Sequence, residues 1–185
     1  IKSAYKDEIR EIITDNKCIY NEVNSYLKQY NINLVEGLRL YEDSLLPLYK
    51  LYSIENLIDN ILSKKVWLKS GAYLVIESTE AMVVIDVNTG KCIKGKKPEE
   101  TIFKVNTEAA EEIAHQIRLR NLSGMIMIDF INMTQKEKQN SLLNYLDKIV
   151  LRDRIKTTVV DITKLNIVEI TRMKKEPPVY EQLKL

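Results

Sequence analysis

The sequence predicts an α/β fold of the α+β type, a mixed β-sheet packed by helices. Three observations lead there. Short apolar runs with period-two alternation recur along the chain, and helical stripes of apolar residues fall between them. Two of the apolar runs also end on an aspartate followed within a few residues by an asparagine: Ala-Met-Val-Val-Ile-Asp-Val-Asn, with Asp86 and Asn88, and Gly-Met-Ile-Met-Ile-Asp-Phe-Ile-Asn, with Asp129 and Asn132.

Residues 8–15 predict a short strand, 19–29 a helix and 33–41 a second strand. Apolar Ile54, Leu57, Ile58, Ile61 and Leu62 at helical spacing predict a helix over 52–62, with Ser53 as its N-cap. A change of character near 63–70 marks a domain boundary. Beyond it, residues 72–77 and 81–88 form a predicted hairpin around a Ser-Thr-Glu turn. Ala110, Ile113, Ala114 and Ile117 share one stripe of a helix over 107–119, and a strand covers 124–131. Thr134-Gln135-Lys136-Glu137 has the capping-box pattern and opens a helix to about 151, striped by Leu142, Leu143, Leu146, Ile149 and Val150. Strands over 157–162 and 167–171 complete a β-β-α-β-α-β-β order. Residues 174–185 read as a linker or disordered tail.

At 185 residues and 45% hydrophobic content, the chain can bury one substantial core or two small ones. Its 28 basic against 26 acidic residues give no polybasic signature, so a nucleic-acid partner must meet a local patch. No stretch approaches the ~20 apolar residues of a membrane span, and there is no signal-peptide layout. A cytoplasmic, soluble protein without membrane contact is the simplest expectation. Cys18 and Cys92 stand far apart and His115 is the one histidine, so the sequence shows no zinc site and gives no reason to expect a disulfide.

The two aspartates carry the chemical signal. Runs this apolar read as buried strands, where an ionised carboxylate is costly unless something pairs with it. A divalent cation shared by two strand-end carboxylates is one solution; a carboxylate that only caps the following turn is the other. Alternation places Met82, Val84, Asp86 and Asn88 on one face. Asn88 can thus orient the Asp86 carboxylate or a water beside it.

The stretch from Ser70 to Met133 resembles the catalytic core of the bacterial ribonuclease E/G family of endoribonucleases. The resemblance rests on Ser-Gly-Ala-Tyr-Leu-Val-Ile-Glu-Ser-Thr-Glu-Ala (70–81), Ile-Asp-Val-Asn (85–88), Glu-Glu-Thr (99–101), Asn-Thr-Glu-Ala-Ala-Glu-Glu-Ile-Ala (106–114), Arg-Leu-Arg (118–120) and Gly-Met-Ile-Met-Ile-Asp-Phe-Ile-Asn-Met (124–133). It continues more loosely through 161–172, and back through 11–16 and 46–53.

The resemblance implies a partial RNase H-like subdomain over 1–63 and a DNase I-like catalytic subdomain over 64–173. It implies that Asp86 and Asp129 bind Mg²⁺, with Mn²⁺ as a substitute, and that Asn88 belongs to the catalytic set. The implied activity is metal-dependent endoribonuclease cleavage of single-stranded RNA, leaving 5′-phosphate and 3′-hydroxyl ends, of the class serving rRNA processing and mRNA decay. A homodimer through the DNase I-like subdomain is also implied. Lys91, Lys94, Lys96 and Lys97, interrupted by Gly90 and Gly95, follow Asp86 closely and can hold the RNA backbone, though the family usually has arginine here. Lys164 and Arg172 match positions commonly basic in the family and are expected along the RNA path.

His115 reads as an ordinary helix residue, and Arg118 and Arg120 as partners of phosphate or of nearby acids. Trp67 and the ten tyrosines form no evident stacking array and read as core or surface residues. The family's oligonucleotide-binding barrel, 5′-monophosphate sensor and CPxC zinc-link are not visible, so no zinc is expected within this chain. The expectation is a fragment that cleaves RNA poorly unaided. The alternatives are a non-catalytic RNA-binding or dimerisation scaffold of the same fold, and a phosphatase-like or deoxyribonuclease enzyme.

Overall fold

The computed structural model describes residues 9–30, 36–90 and 98–183. The chain divides into two compact units, Ile1–Ile58 and Asp59–Leu185.

In the first unit, β1 (Ile12–Thr14) leads into α1 (Lys17–Gln29) and then β2 (Leu38–Leu40), which lies parallel to β1. Parallel neighbours need a crossover, and α1 provides it. Asn16 starts that helix: its carboxamide oxygen accepts the N–H groups of Cys18 at 2.9 Å and Ile19 at 3.2 Å, two donors a helix start leaves open. Two further helices follow, α2 (Leu48–Leu51) and α3 (Ile54–Leu62). Ser53, the expected N-cap of α3, has φ of 50°, the left-handed conformation instead of the extended one that N-caps adopt. The division between the units falls inside α3, a little before the expected boundary.

The second unit is built on a six-stranded sheet in the order β3-β4-β5-β6-β8-β7. Its strands are β3 (Lys65–Trp67), β4 (Tyr73–Ser78), β5 (Met82–Asn88), β6 (Gly124–Asp129), β7 (Thr157–Ile162) and β8 (Ile167–Arg172). Pairing is antiparallel throughout, except that β5 and β6 run parallel. That pair is joined by the 22-residue α4 (Pro98–Leu119), and α5 (Lys136–Val150) connects β6 to β7.

Alternate strand residues Leu74, Ile76, Val83, Ile85, Val87, Ile126, Ile128, Val168 and Ile170 face one core with Ala109, Ile113 and Ile117 of α4 and Leu142, Leu146 and Ile149 of α5. Each fully buried aliphatic side chain here contributes about 1.5–3 kcal/mol. The helices therefore cover one face. On the other face of β4, β5 and β6 no residue is buried, an arrangement that sheets with antiparallel pairing tolerate.

Two polar devices complete this unit. The capping box expected at residues 134–137 does not form: Gln135 occupies the N-cap of α5 without a side-chain bond. Glu99 of α4 instead accepts the N–H groups of Thr134 at 2.9 Å and Gln135 at 3.1 Å. These bonds, the Gln135 N–H foremost, hold the Glu99 carboxyl below the usual carboxylate range. The segment after β8, expected to be a linker, lies against the unit as far as α6 (Val179–Gln182). Asn121 Nδ2 donates to the carbonyls of Glu176 at 3.1 Å and Pro177 at 2.9 Å, and the Val179 N–H donates to the Arg120 carbonyl at 3.0 Å.

Arg172 departs from expectation. It is 4% exposed. Its Nε donates to Asp153 Oδ2 at 2.8 Å, and its Nη1 donates to Asn121 Oδ1 and to the Leu122 carbonyl, both at 2.9 Å. In register it faces Gly124, at the opposite end of β6 from Asp129. Arg172 is thus an internal brace and does not line a path for RNA.

Burial alone pushes the Asp153 carboxyl up. The Arg172 hydrogen bond, the Ile155 N–H, the Arg172 charge and the Thr157 hydroxyl outweigh it and leave the carboxyl below its ordinary value. A depressed carboxyl contributes stability that is present above its unfolded value and lost as pH falls through the folded one. We therefore expect Arg172→Ala to lower unfolding stability by about 3–5 kcal/mol, since it strands a buried charge. Asp153→Asn should flatten the acid side of the stability–pH curve. Urea unfolding followed by circular dichroism between neutral and acid pH checks both, and an unchanged midpoint in Arg172→Ala would rule out the brace.

Candidate active site

The parallel register of β5 and β6 pairs Met82 with Met125, Val84 with Met127 and Asp86 with Asp129. Paired residues on adjacent strands point to the same face, about 4.8 Å apart along the sheet. Because Ile85 and Ile128 turn inward, Asp86 and Asp129 both turn to the face without helices. The two carboxylates expected from sequence thus stand abreast at the C-terminal ends of neighbouring parallel strands.

Their surroundings differ. Asn88 Nδ2 donates to Asp86 Oδ2 at 2.7 Å, which orients that carboxylate. Asp129 is the more open residue. Its carboxyl is raised above the usual range, first by the partial desolvation of its strand-end position and then by the Asp86 charge. Asn132 does not mirror Asn88: its Oδ1 lies 3.5 Å from Asn166 Nδ2 in the β7–β8 turn, a long contact.

A buried asparagine holds the site from beneath. Asn106 of α4 is fully buried; its Nδ2 donates to the Ile131 carbonyl at 2.8 Å and its Oδ1 accepts the Ile131 N–H at 3.1 Å. These two hydrogen bonds to the backbone of one residue pin the chain just after Asp129. Sequence reasoning gave Asn106 no role, although a signal was present: at spacings of four, three and four it lies on the stripe of Ala110, Ile113 and Ile117, where a polar side chain needs a partner.

The chain leaves β5 through a close crossing. Gly90 has φ of 56°, and a Cβ there would sit 2.3 Å from the Gly71 carbonyl oxygen, so only glycine fits. Lys91, Lys94, Lys96 and Lys97 follow and lie outside the described residues. Lys164 is exposed in the β7–β8 turn, at the sheet end shared with Asp129, which pairs with Ile167 at the start of β8. His115 is exposed on α4. Arg120 is buried, its guanidinium donating to Gln116 Oε1 and to the carbonyls of Ser63 and Asn60, so its bonds serve the fold.

The donor set bears on what the pair can hold. Among the described residues no group of three or more His, Cys, Asp or Glu gathers at any point. Two carboxylates with room around them suit a hard cation that keeps several waters, and do not suit a closed zinc cage. Among the same residues no helix is long and apolar enough to cross a membrane.

Two abreast strand-end carboxylates on an open sheet face define a class, an α/β protein with a pair of oxygen donors at the ends of neighbouring parallel strands. The chain belongs to the ribonuclease E/G family, whose model matches residues 1–175. Ribonuclease G of Haemophilus influenzae is 43% identical over 164 residues, 89% of this chain and 33% of that protein. Ribonuclease G of Escherichia coli K12 is 38% identical over 165 residues, 89% of this chain and 34% of that protein. A ribonuclease E/G-like chloroplastic protein of Arabidopsis thaliana is 38% identical over 181 residues, 97% of this chain and 18% of that protein. The chain thus spans about a third of the length of the ribonuclease G relatives.

Asn106→Ala should lower stability by about 1–3 kcal/mol, because the backbone N–H and carbonyl of Ile131 both lose their partner. Amide hydrogen exchange gives the sharper readout. The Ile131 N–H should exchange much faster in the variant, while the Ile128 N–H inside β6 should keep its protection. Equal protection of Ile131 in both proteins would remove the clamp from the account.

Proposed function

We propose that Asp86 and Asp129 form the catalytic centre of a metal-dependent endoribonuclease acting on single-stranded RNA. One observation carries this reading: the parallel register sets the two carboxylates side by side on an uncovered face. Ribonuclease relatives matching 89% of the chain support it.

The donor chemistry fits Mg²⁺, with Mn²⁺ as a substitute, held by Asp86 and Asp129. When bound, such an ion supplies charge neutralisation at the phosphate and a more acidic water as nucleophile. The rest of the task falls to the chain. Asn88 fixes the orientation of Asp86 through its 2.7 Å bond. Asn106 fixes the backbone that carries Asp129. Lys164, together with Lys91, Lys94, Lys96 and Lys97, offers cations to the flanking phosphates, which positions RNA without reading its sequence. Attack of water on phosphorus with departure of the 3′ oxygen leaves a 5′-phosphate and a 3′-hydroxyl. The reading places the protein in the cytoplasm, in rRNA processing and mRNA decay, and as a homodimer through its second unit.

Cleavage of a fluorescent single-stranded RNA with Mg²⁺ tests it. Asp86→Asn and Asp129→Asn should reduce the rate to background, and Asn88→Ala should lower it about ten- to a hundredfold. End-labelling should find 5′-phosphate on the products. Cleavage indifferent to both aspartate substitutions would overturn the assignment and leave an RNA-binding scaffold as the reading.

A further inference from the structure

The face that presents Asp86 and Asp129 also presents an aromatic pair. In β3, Lys65 pairs with Val75 and Trp67 with Tyr73; across the next interface, Val75 pairs with Asp86 and Tyr73 with Asn88. Two adjacent rows therefore run over this face: Lys65, Val75, Asp86 and Asp129 in one, and Trp67, Tyr73 and Asn88 in the other. At about 4.8 Å per strand, Trp67 stands two strands, about 10 Å, from Asn88.

The pair is organised. The ring centroids of Trp67 and Tyr73 lie 5.2 Å apart, and the Lys65 ammonium sits 4.1 Å from the Trp67 centroid and 3.7 Å from that of Tyr73. Trp67 nevertheless remains 63% exposed. A large indole on an edge strand, steadied by a cation and left open, has the makings of a stacking surface. Base–aromatic stacking beside a cation is how single-stranded nucleic acids are held without sequence preference.

We infer that Trp67 and Tyr73, with Lys65, form a platform that stacks a base of single-stranded RNA close to the linkage offered to Asp86 and Asp129. This rests on the function proposed above. RNA is favoured over a second copy of the chain because the platform shares its two rows with the carboxylates, and because Lys65 supplies positive charge where a phosphate must pass. The platform explains how a strand could be gripped beside the two carboxylates and directed across them.

Trp67 is the one tryptophan of the chain, so its fluorescence reports on the platform directly. The test titrates the protein in EDTA at low salt with a dye-labelled oligouridylate, reading dye anisotropy and tryptophan emission together. Emission should be quenched in step with binding, and an abasic oligomer of equal phosphate number should bind without quenching. Trp67→Ala should weaken binding about ten- to a hundredfold, with Trp67→Phe retaining most of it; melting curves of both variants check that the fold is kept. Binding without any change in emission, and equal in Trp67→Ala, would overturn the platform while leaving the proposed function intact. Absence of binding by the unaltered chain would instead overturn the RNA reading itself. An emission change driven by protein concentration alone, without RNA, would assign the rings to an interface between copies and also overturn the inference.

Discussion

The parallel pairing of β5 with β6, in the register that sets Asp86 beside Asp129, is the constraint on which the rest of the second unit depends. Two like charges side by side oppose each other, and the raised Asp129 carboxyl records that opposition in part. A fold keeps such an arrangement only where the surrounding structure over-determines it. Here the surroundings are firm: strand ladders on both sides of the pair, an asparagine on Asp86 and a buried asparagine beneath the chain that follows Asp129.

The one-sided layering follows from the same constraint. Joining parallel neighbours requires a crossover, and α4, with α5 beside it, places its apolar stripe on the face that receives Ile85 and Ile128. The face that remains is neither a core nor an enclosed pocket. It is an open shelf, bearing charge at one point and aromatic surface at another. The activity proposed for this ribonuclease E/G family member needs such a shelf, because a phosphodiester inside a strand must enter from the side and not by threading an end.

The aspartates were legible in the sequence because two signals coincide in them: period-two alternation assigns their face, and an ionisable group at the end of an apolar run demands a partner. The helices of the second unit were legible from their stripes, although α4 starts earlier than its stripe shows, at Pro98, a residue that suits a first helical turn. Arg172 was misread for a physical reason. A basic residue in a strand looks the same whether it faces solvent or an internal carboxylate, and its partner Asp153 is set by the β7–β8 pairing, which composition does not reveal. The three-residue β3 carries no alternation long enough to detect, so Trp67 looked like an isolated aromatic until Tyr73 and Lys65 were placed beside it. The capping of α5 fails to follow its local pattern because Glu99, far away in sequence, takes the N–H groups first.

The long crossover between β5 and β6 also bears on how the protein comes into being. A chain leaving the ribosome exposes Asp86 first, then makes all of α4 before Asp129 exists. Contacts of such high sequence separation are closed late, after local helices and hairpins. Until β6 docks, each carboxylate stands alone. Under the function proposed above, a nascent or partly unfolded molecule would be inert toward the transcripts that crowd around it until β6 brings Asp129 beside Asp86.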